Sequence, residues 1–265
     1  MNYIMLATLL LAGLFPSGLL ANPVGGVVGL TKSVFLERNG SRSSLEQGNA
    51  VVLGDVITTG PTGQIQLLFA DGTKIAISPN SRLVIESILF SNSNIATEFA
   101  VKATAGAYRF ISGNSASSVY SINTPVATMG IRGTAFDFVT STLGGIRVAT
   151  FRGQVELCNL ARQCFRVRSR CSVAGLNSAG QFMIPENVNE EAILLSSGFP
   201  YIENQRQLPQ AFRTQIQSCA SGSSGAAVTE PGGGPNDSGG PSDPGDGGGP
   251  NDPGDGGGNT GGNSL

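Results

Sequence analysis

The sequence predicts an all-β fold: an elongated, solenoid-like or twisted module of short strands and hairpins, with one or two short C-terminal helices and a disordered tail. Three observations predict it. Short runs rich in Val, Ile, Phe and Thr alternate polar and apolar residues from Val24 to about Ala174, which is the period of a half-buried strand. Glycines punctuate those runs at Gly54, Gly60, Gly63, Gly106, Gly113, Gly130, Gly133, Gly144, Gly145 and Gly153. No helical apolar period crosses the same stretch.

The clearest element is a hairpin. Gln64 to Phe69 alternates, Ala70-Asp71-Gly72-Thr73 supplies a turn, and Lys74 to Ile77 resumes the alternation. Asp-Gly between two such runs is a strong hairpin signal, and it predicts positive φ at both central residues. Further strands are predicted at Arg82–Ile88, Glu98–Ala103, Val119–Ile122, Ala135–Val139 and Gly145–Ala149, each bounded by turn residues. Gly133 is expected where two backbones approach closely or a strand bends.

After Gly180 the character changes. Asn187 is placed to cap a helix over Val188–Leu195, with Glu190 and Glu191 in its positively polarised first turn. A second helix is predicted from about Pro209 to Cys219, with proline in its first turn. These two segments are too short for a domain and are expected to lie across the β body. From about Ser221 the chain is Gly, Pro and Asp, with PSDPGDGGG at 241–249 followed by PNDPGDGGG at 250–258. Such composition buries too little apolar surface to offset the entropy of ordering, so the tail is expected to be disordered. Its nonapeptides lack the apolar position of calcium-binding β-roll repeats, and a solvating spacer is expected.

At the other end, Tyr3 to Phe15 is apolar and Pro16-Ser17-Gly18 precede Leu19-Leu20-Ala21. The run falls short of the ~20 residues that span a bilayer. It reads as a signal peptide cleaved after Ala21. The organisation expected is therefore a leader over 1–21, a β domain over 22–180, a helical extension over 181–220 and a tail over 221–265. A periplasmic or extracellular location follows, with no transmembrane segment in the mature chain.

Four cysteines fit that compartment. Four cysteines allow three pairings, of which the sequence favours Cys158–Cys164 and Cys171–Cys219. The first pair brackets the turn 159–163 between strand-like runs Gln154–Leu157 and Phe165–Arg168. The second would tie the last helix to the β body. A zinc site is the rival, but the spacing is not C-x-x-C and the chain of 265 residues has no histidine.

That missing histidine also removes the commonest general base. No catalytic residue, cofactor or metal site is assigned. Asp55 and Asp71 sit in turn signatures, where Asp serves the backbone. Asp137 lies in a strand and is expected to form a structural ion pair with Arg132.

Charge is unevenly placed. Up to Arg213 there are sixteen bases against twelve acids, and beyond it six acids and no base. Arg162, Arg166, Arg168 and Arg170 surround the cysteine hairpin. They could contact an anionic partner such as lipopolysaccharide or an acidic glycan. The favoured reading is solvent-facing residues of an edge strand, where positive charge deters sheet-to-sheet association. Nucleic acid is not expected, since aromatics are scarce here.

An ordered set of motifs runs through the body: Gly-Gly-Val-Val-Gly from Gly25, Leu53-Gly54-Asp55-Val56-Ile57-Thr58-Thr59-Gly60, Leu68-Phe69-Ala70-Asp71-Gly72-Thr73, and Ile77-Ser78-Pro79-Asn80-Ser81. Ile122-Asn123-Thr124-Pro125-Val126-Ala127, Ile131-Arg132-Gly133-Thr134-Ala135-Phe136 and Val148 to Val155 follow. In this series the chain resembles the FecR domain of bacterial cell-envelope proteins over roughly 25–175. The resemblance implies an all-β module outside the cytoplasmic membrane. Full-length FecR regulators carry a sigma-factor-binding segment and a membrane helix before the domain, and this chain has a leader there, so direct control of a sigma factor is not carried over. The function expected is an exported, non-enzymatic binding or scaffolding module that meets an envelope protein. The alternative is a surface or matrix protein that binds glycan, and the third reading is an envelope hydrolase with a carboxylate pair.

Overall fold

The computed structural model describes residues 22–91, 94–168, 171–195 and 198–214. The predicted leader and tail lie outside the described residues. The first strands are β1 (Gly25–Leu30), β2 (Val34–Arg38), β3 (Ser41–Ser44), β4 (Ala50–Val51), β5 (Val56–Thr59), β6 (Ile65–Phe69) and β7 (Lys74–Ile77). They are followed by β8 (Arg82–Phe90), β9 (Ala96–Ile111), β10 (Tyr120–Asn123), β11 (Ala127–Thr140) and β12 (Ile146–Asn159). The last are β13 (Cys164–Arg168), β14 (Val173–Leu176) and β15 (Phe182–Met183), and then helices α1 (Val188–Leu195) and α2 (Pro200–Glu203).

All fifteen strands join one hydrogen-bonded sheet, and the sheet folds into two facing layers. One layer runs β15-β14-β12-β11-β9-β7-β6-β1-β4, using the later half of β9 and β11 and the first half of β12. The other runs β3-β2-β5-β8-β9-β10-β11-β12-β13, using the opposite halves of the same three strands. Every pairing is antiparallel except β9 with β10. Strands that pass from one layer to the other must bend, and bulges and glycines do this.

The bends fall where the sequence carries glycine. In β11 and β12 the register shifts after Arg132. There Gly133 has φ 58° and Gly153 has φ 78°, a region costly for residues with a Cβ. A Cβ on Gly153 would stand 2.4 Å from the Gly133 carbonyl oxygen. Gly106 at φ 111° bends β9 in the same way. Strand segments expected to be separate are therefore parts of long strands: Glu98–Ala103 lies within the sixteen residues of β9.

Between the layers lies an aromatic core. Phe69 of the first layer meets Phe99 of the second at 4.9 Å between ring centroids. Phe110 and Tyr120 follow at 5.8 Å. Tyr108 stacks on Phe138 at 4.7 Å within the first layer and sends its hydroxyl to the Arg82 carbonyl of the second at 2.8 Å.

The β6–β7 hairpin forms as expected, with a different turn. Phe69 N–H donates to the Thr73 carbonyl and Gly72 N–H to the Phe69 carbonyl. Only Gly72 has positive φ, at 86°. Asp71 stays in the ordinary region because the loop has three residues, a type I turn closed by a left-handed glycine.

The helix α1 also forms as expected. Asn187 Oδ1 accepts from the N–H groups of Asn189 and Glu190, and Glu190 Oε2 accepts from Glu186 N–H. Pro209 does not start an α-helix. It precedes one 3₁₀ turn, Gln210–Phe212, and Arg213 is extended at φ −85° and ψ 149°. Phe212 is drawn into an apolar cluster with Ala76, Tyr201 and Leu208, and that contact fixes the segment in place of an i→i+4 ladder. The rest of the predicted helix, to Cys219, lies outside the described residues. The helix α2 was not anticipated. It starts at Pro200, one residue after Phe199, which is buried with Ala149 and Val173.

Candidate functional site: a basic edge strand and a capped ion pair

The hairpin of β12 and β13 ends the second layer. Cys158 and Cys164 face each other across it and form a disulfide with Cα atoms 4.0 Å apart. Asn159 N–H donates to the Gln163 carbonyl, so 159 and 163 are a hydrogen-bonded pair. The pairing type alternates along an antiparallel ladder. Cys164, Arg166 and Arg168 are consequently the non-hydrogen-bonded members, and their main-chain N–H and C=O groups point away from β12. Among the described strands β13 pairs only with β12. It is an edge.

Side chains of β13 alternate as the sequence indicates. Phe165 and Val167 turn inward, with Val167 buried and the Phe165 ring 6.1 Å from that of Phe182 on β15. Cys164, Arg166 and Arg168 lie on the other face. Arg166 Nε donates to Glu156 Oε1 at 2.8 Å across the hairpin. Arg168 Nε is buried and has no hydrogen-bond partner among the described residues. Arg162 is exposed in the turn, with φ 61°. Arg170 lies outside the described residues. Cys171 is buried. Cys219, expected to pair with it, lies outside them too.

A second polar centre stands on the outer face of the first layer. Registered pairs place Gln66, Ala76, Arg109, Asp137, Ala149 and Val173 in one row across six strands. At its middle, Arg109 Nε and Nη2 donate to the two oxygens of Asp137 at 2.7 and 2.8 Å. The segment after Gly198 covers the pair. Gln205 Oε1 accepts from Arg109 Nη1 at 2.6 Å, and the rings of Phe151 and Tyr201 lie 5.1 and 5.7 Å from the guanidinium. Both charged side chains are buried. Burial pushes the Asp137 carboxyl above its ordinary range, and Arg109 works against that shift. Burial likewise pushes the Tyr201 phenol up.

The expected partner of Asp137 was Arg132, and this is corrected. Arg132 is exposed and belongs to the half of β11 in the other layer, beyond the Gly133 bend. Arg109 is the direct cross-strand neighbour of Asp137. The signal available for Arg109 was one charge inside the apolar run Ala107-Tyr108-Arg109-Phe110-Ile111.

The turn carboxylates each accept a backbone N–H of their own turn, as their motifs indicate, and also take side-chain donors from distant elements. Asp55 takes Arg38 Nε and Nη2 on its two oxygens, each at 2.7 Å, and Val52 N–H at 2.8 Å. That hydrogen-bonded carboxylate holds the Arg38 guanidinium above its ordinary value. Asp71 accepts from Thr73 N–H, Ser115 Oγ and Tyr120 Oη at 2.9, 2.8 and 2.7 Å. Burial, chiefly, pushes the Tyr120 phenol up. Among the described residues no three His, Cys, Asp or Glu side chains gather where a metal ion could be held. No described helix is long and apolar enough to cross a membrane.

The fold and these centres define a disulfide-stapled, all-β module in which one continuous sheet is folded on itself. Residues 55–156 match the model of the FecR protein family. No curated protein matches it. Among solved structures it is similar to a "putative anti-sigma factor" from Parabacteroides distasonis ATCC 8503, at 15% identity and a TM-score of 0.40. That match takes in 48% of this chain and spans 57% of the other, and a second structure of the same description gives the same values. It is also similar to a cell surface anchoring domain at 30% identity, over 23% of this chain and 83% of that one, with a TM-score of 0.23.

Proposed function

We propose that the protein is an exported, non-enzymatic binding and scaffolding module of the bacterial cell envelope, working in envelope signalling through a protein partner. The FecR match over 55–156 is the observation that carries this reading. The Cys158–Cys164 disulfide supports it, because such bonds persist in oxidising compartments. So does the use made of Asp55, Asp71 and Asp137: each is committed to its own set of donors that fix strands or turns. Export proceeds through a leader removed after Ala21.

The test is affinity capture from native envelope extract with the exported chain as bait, read by mass spectrometry beside N-terminal sequencing of the secreted protein. Recovery of one specific envelope protein, with a new N-terminus at Asn22, is the expected result. Retention in the cytoplasm, or salt-sensitive binding to purified acidic glycan with no protein recovered, would overturn it.

A further inference from the structure

We propose that β13 is a docking edge: it takes an extended, acidic segment of the partner protein as one more antiparallel or parallel strand of the second layer. This rests on the reading of the chain as an envelope binding module and names its site and the chemistry of its partner.

Three observations meet on this strand. Its outer side presents the main-chain donors and acceptors of Cys164, Arg166 and Arg168, the spacing that strand addition uses. The disulfide holds that edge extended before any partner arrives, which lowers the ordering cost of binding. Three arginines, Arg162, Arg166 and Arg168, surround it, and among the described residues Glu156 alone is paired against them, across the hairpin.

These features also select against other occupants. A second copy pairing through the same edge would set arginine against arginine, which is destabilising when like charges lie directly opposite. The chain's own tail is acidic, but its acids are separated by Pro and Gly, which remove ladder donors and weaken strands. A segment that alternates acid and apolar residues fits. Its acids would lie beside Arg166 and Arg168 on the outer face, and its apolar residues would extend the inner face formed by Phe165 and Val167.

The experiment uses the full chain and a fluorescent synthetic peptide of alternating Glu and Val, with an alternating Lys and Val peptide as control. Binding is read by anisotropy and main-chain pairing by amide hydrogen exchange. The acidic peptide should bind, more weakly as salt rises, and should slow exchange at Cys164, Arg166 and Arg168. Arg166→Pro removes an outward N–H that β12 does not use, a position where an edge strand accepts proline. Arg166→Glu reverses a charge and keeps the N–H. Each should weaken binding by about tenfold or more, the effect of losing one or two hydrogen bonds to a charged partner. Equal binding of the two peptides overturns the proposal, as does affinity unchanged in both variants, or protection confined to other strands. If wild type and Arg166→Pro capture the same envelope protein equally well, the edge is wrong and the module reading stands. If the wild type captures no envelope protein and binds neither peptide, both fall.

Discussion

Replacing Arg109 by Met should cost the fold about 3–5 kcal/mol at neutral pH, because it strands a buried carboxylate. Arg109 and Asp137 are both buried and share two hydrogen bonds of 2.7 and 2.8 Å. The guanidinium also donates to Gln205 Oε1 in the covering segment. Losing that bond adds about 1 kcal/mol. A whole domain has only about 5–15 kcal/mol of stability, so the loss moves the midpoint of urea unfolding far down. The pair is asymmetric under substitution. In Arg109→Met, Asp137 can escape its penalty by taking a proton. Its folded pKa is already raised by burial, so ionisation opposes folding. That contribution to stability is present below the ordinary Asp value and is lost as pH rises through the raised folded value. The variant should therefore regain stability on acidification from about pH 7 to about pH 5. Asp137→Asn removes the carboxyl whose protonation would relieve the site, so no such recovery is expected. The double variant Arg109→Met, Asp137→Leu should return to within about 1–2 kcal/mol of the natural protein. Urea unfolding followed by circular dichroism at both pH values measures all three. A cost below about 1 kcal/mol for Arg109→Met, or the same pH dependence for both single variants, would refute the reasoning.

Two more measurements probe the folded sheet. Tyr108, Tyr120 and Tyr201 all have their phenols pushed up, chiefly by burial, and the fourth tyrosine, Tyr3, precedes Asn22. Ultraviolet titration of the chain from Asn22 should show no phenolate step near the ordinary value of about 10, and stability should be lost as pH rises above it. At the bend, Gly133→Ala meets no atom within 4 Å and pays only its positive φ, about 1–2 kcal/mol. Gly153→Ala would in addition drive a Cβ against the Gly133 carbonyl, so its thermal midpoint should fall clearly further.

Local grammar was readable because it depends on neighbours in the chain. Alternation from Gln64 to Ile77 located a hairpin, Asn187 located a helix start, and six-residue spacing located a disulfide. What escaped depends on distant pairing. Gly133 bends its strand as expected, but most glycines point in sequence to strand ends, whereas Gly106 and Gly153 bend strands that continue. Nothing near Asp137 in sequence identifies a partner 28 residues upstream, because register sets that contact. Pro209 looked like a helix start, yet Phe212 is held by the sheet. The shared face of Arg166 and Arg168 was legible, since alternation beside a cysteine hairpin is local. The direction of their main-chain groups was not, because it follows from which residue pairs are hydrogen-bonded.

The folded sheet also limits where a partner can sit. The central row of the first layer's outer face is covered by the segment that packs Tyr201, Leu208 and Phe212 over Ala76 and caps Arg109. The outer face of the second layer exposes Arg82, Glu86, Glu98, Lys102, Thr128 and Arg132. Covering such a face would strip water from charges of both signs, a cost that pairing only partly returns. Edges avoid that cost, because a strand added there exchanges water for main-chain hydrogen bonds. Of the edges, β4 and β15 have two residues each, and β3 has four with Arg42 drawn over the Phe35 ring. Only β13 among them combines five residues, a disulfide across its base and a surplus of arginine. Length, rigidity and charge favour the same strand, and each can be removed separately by substitution.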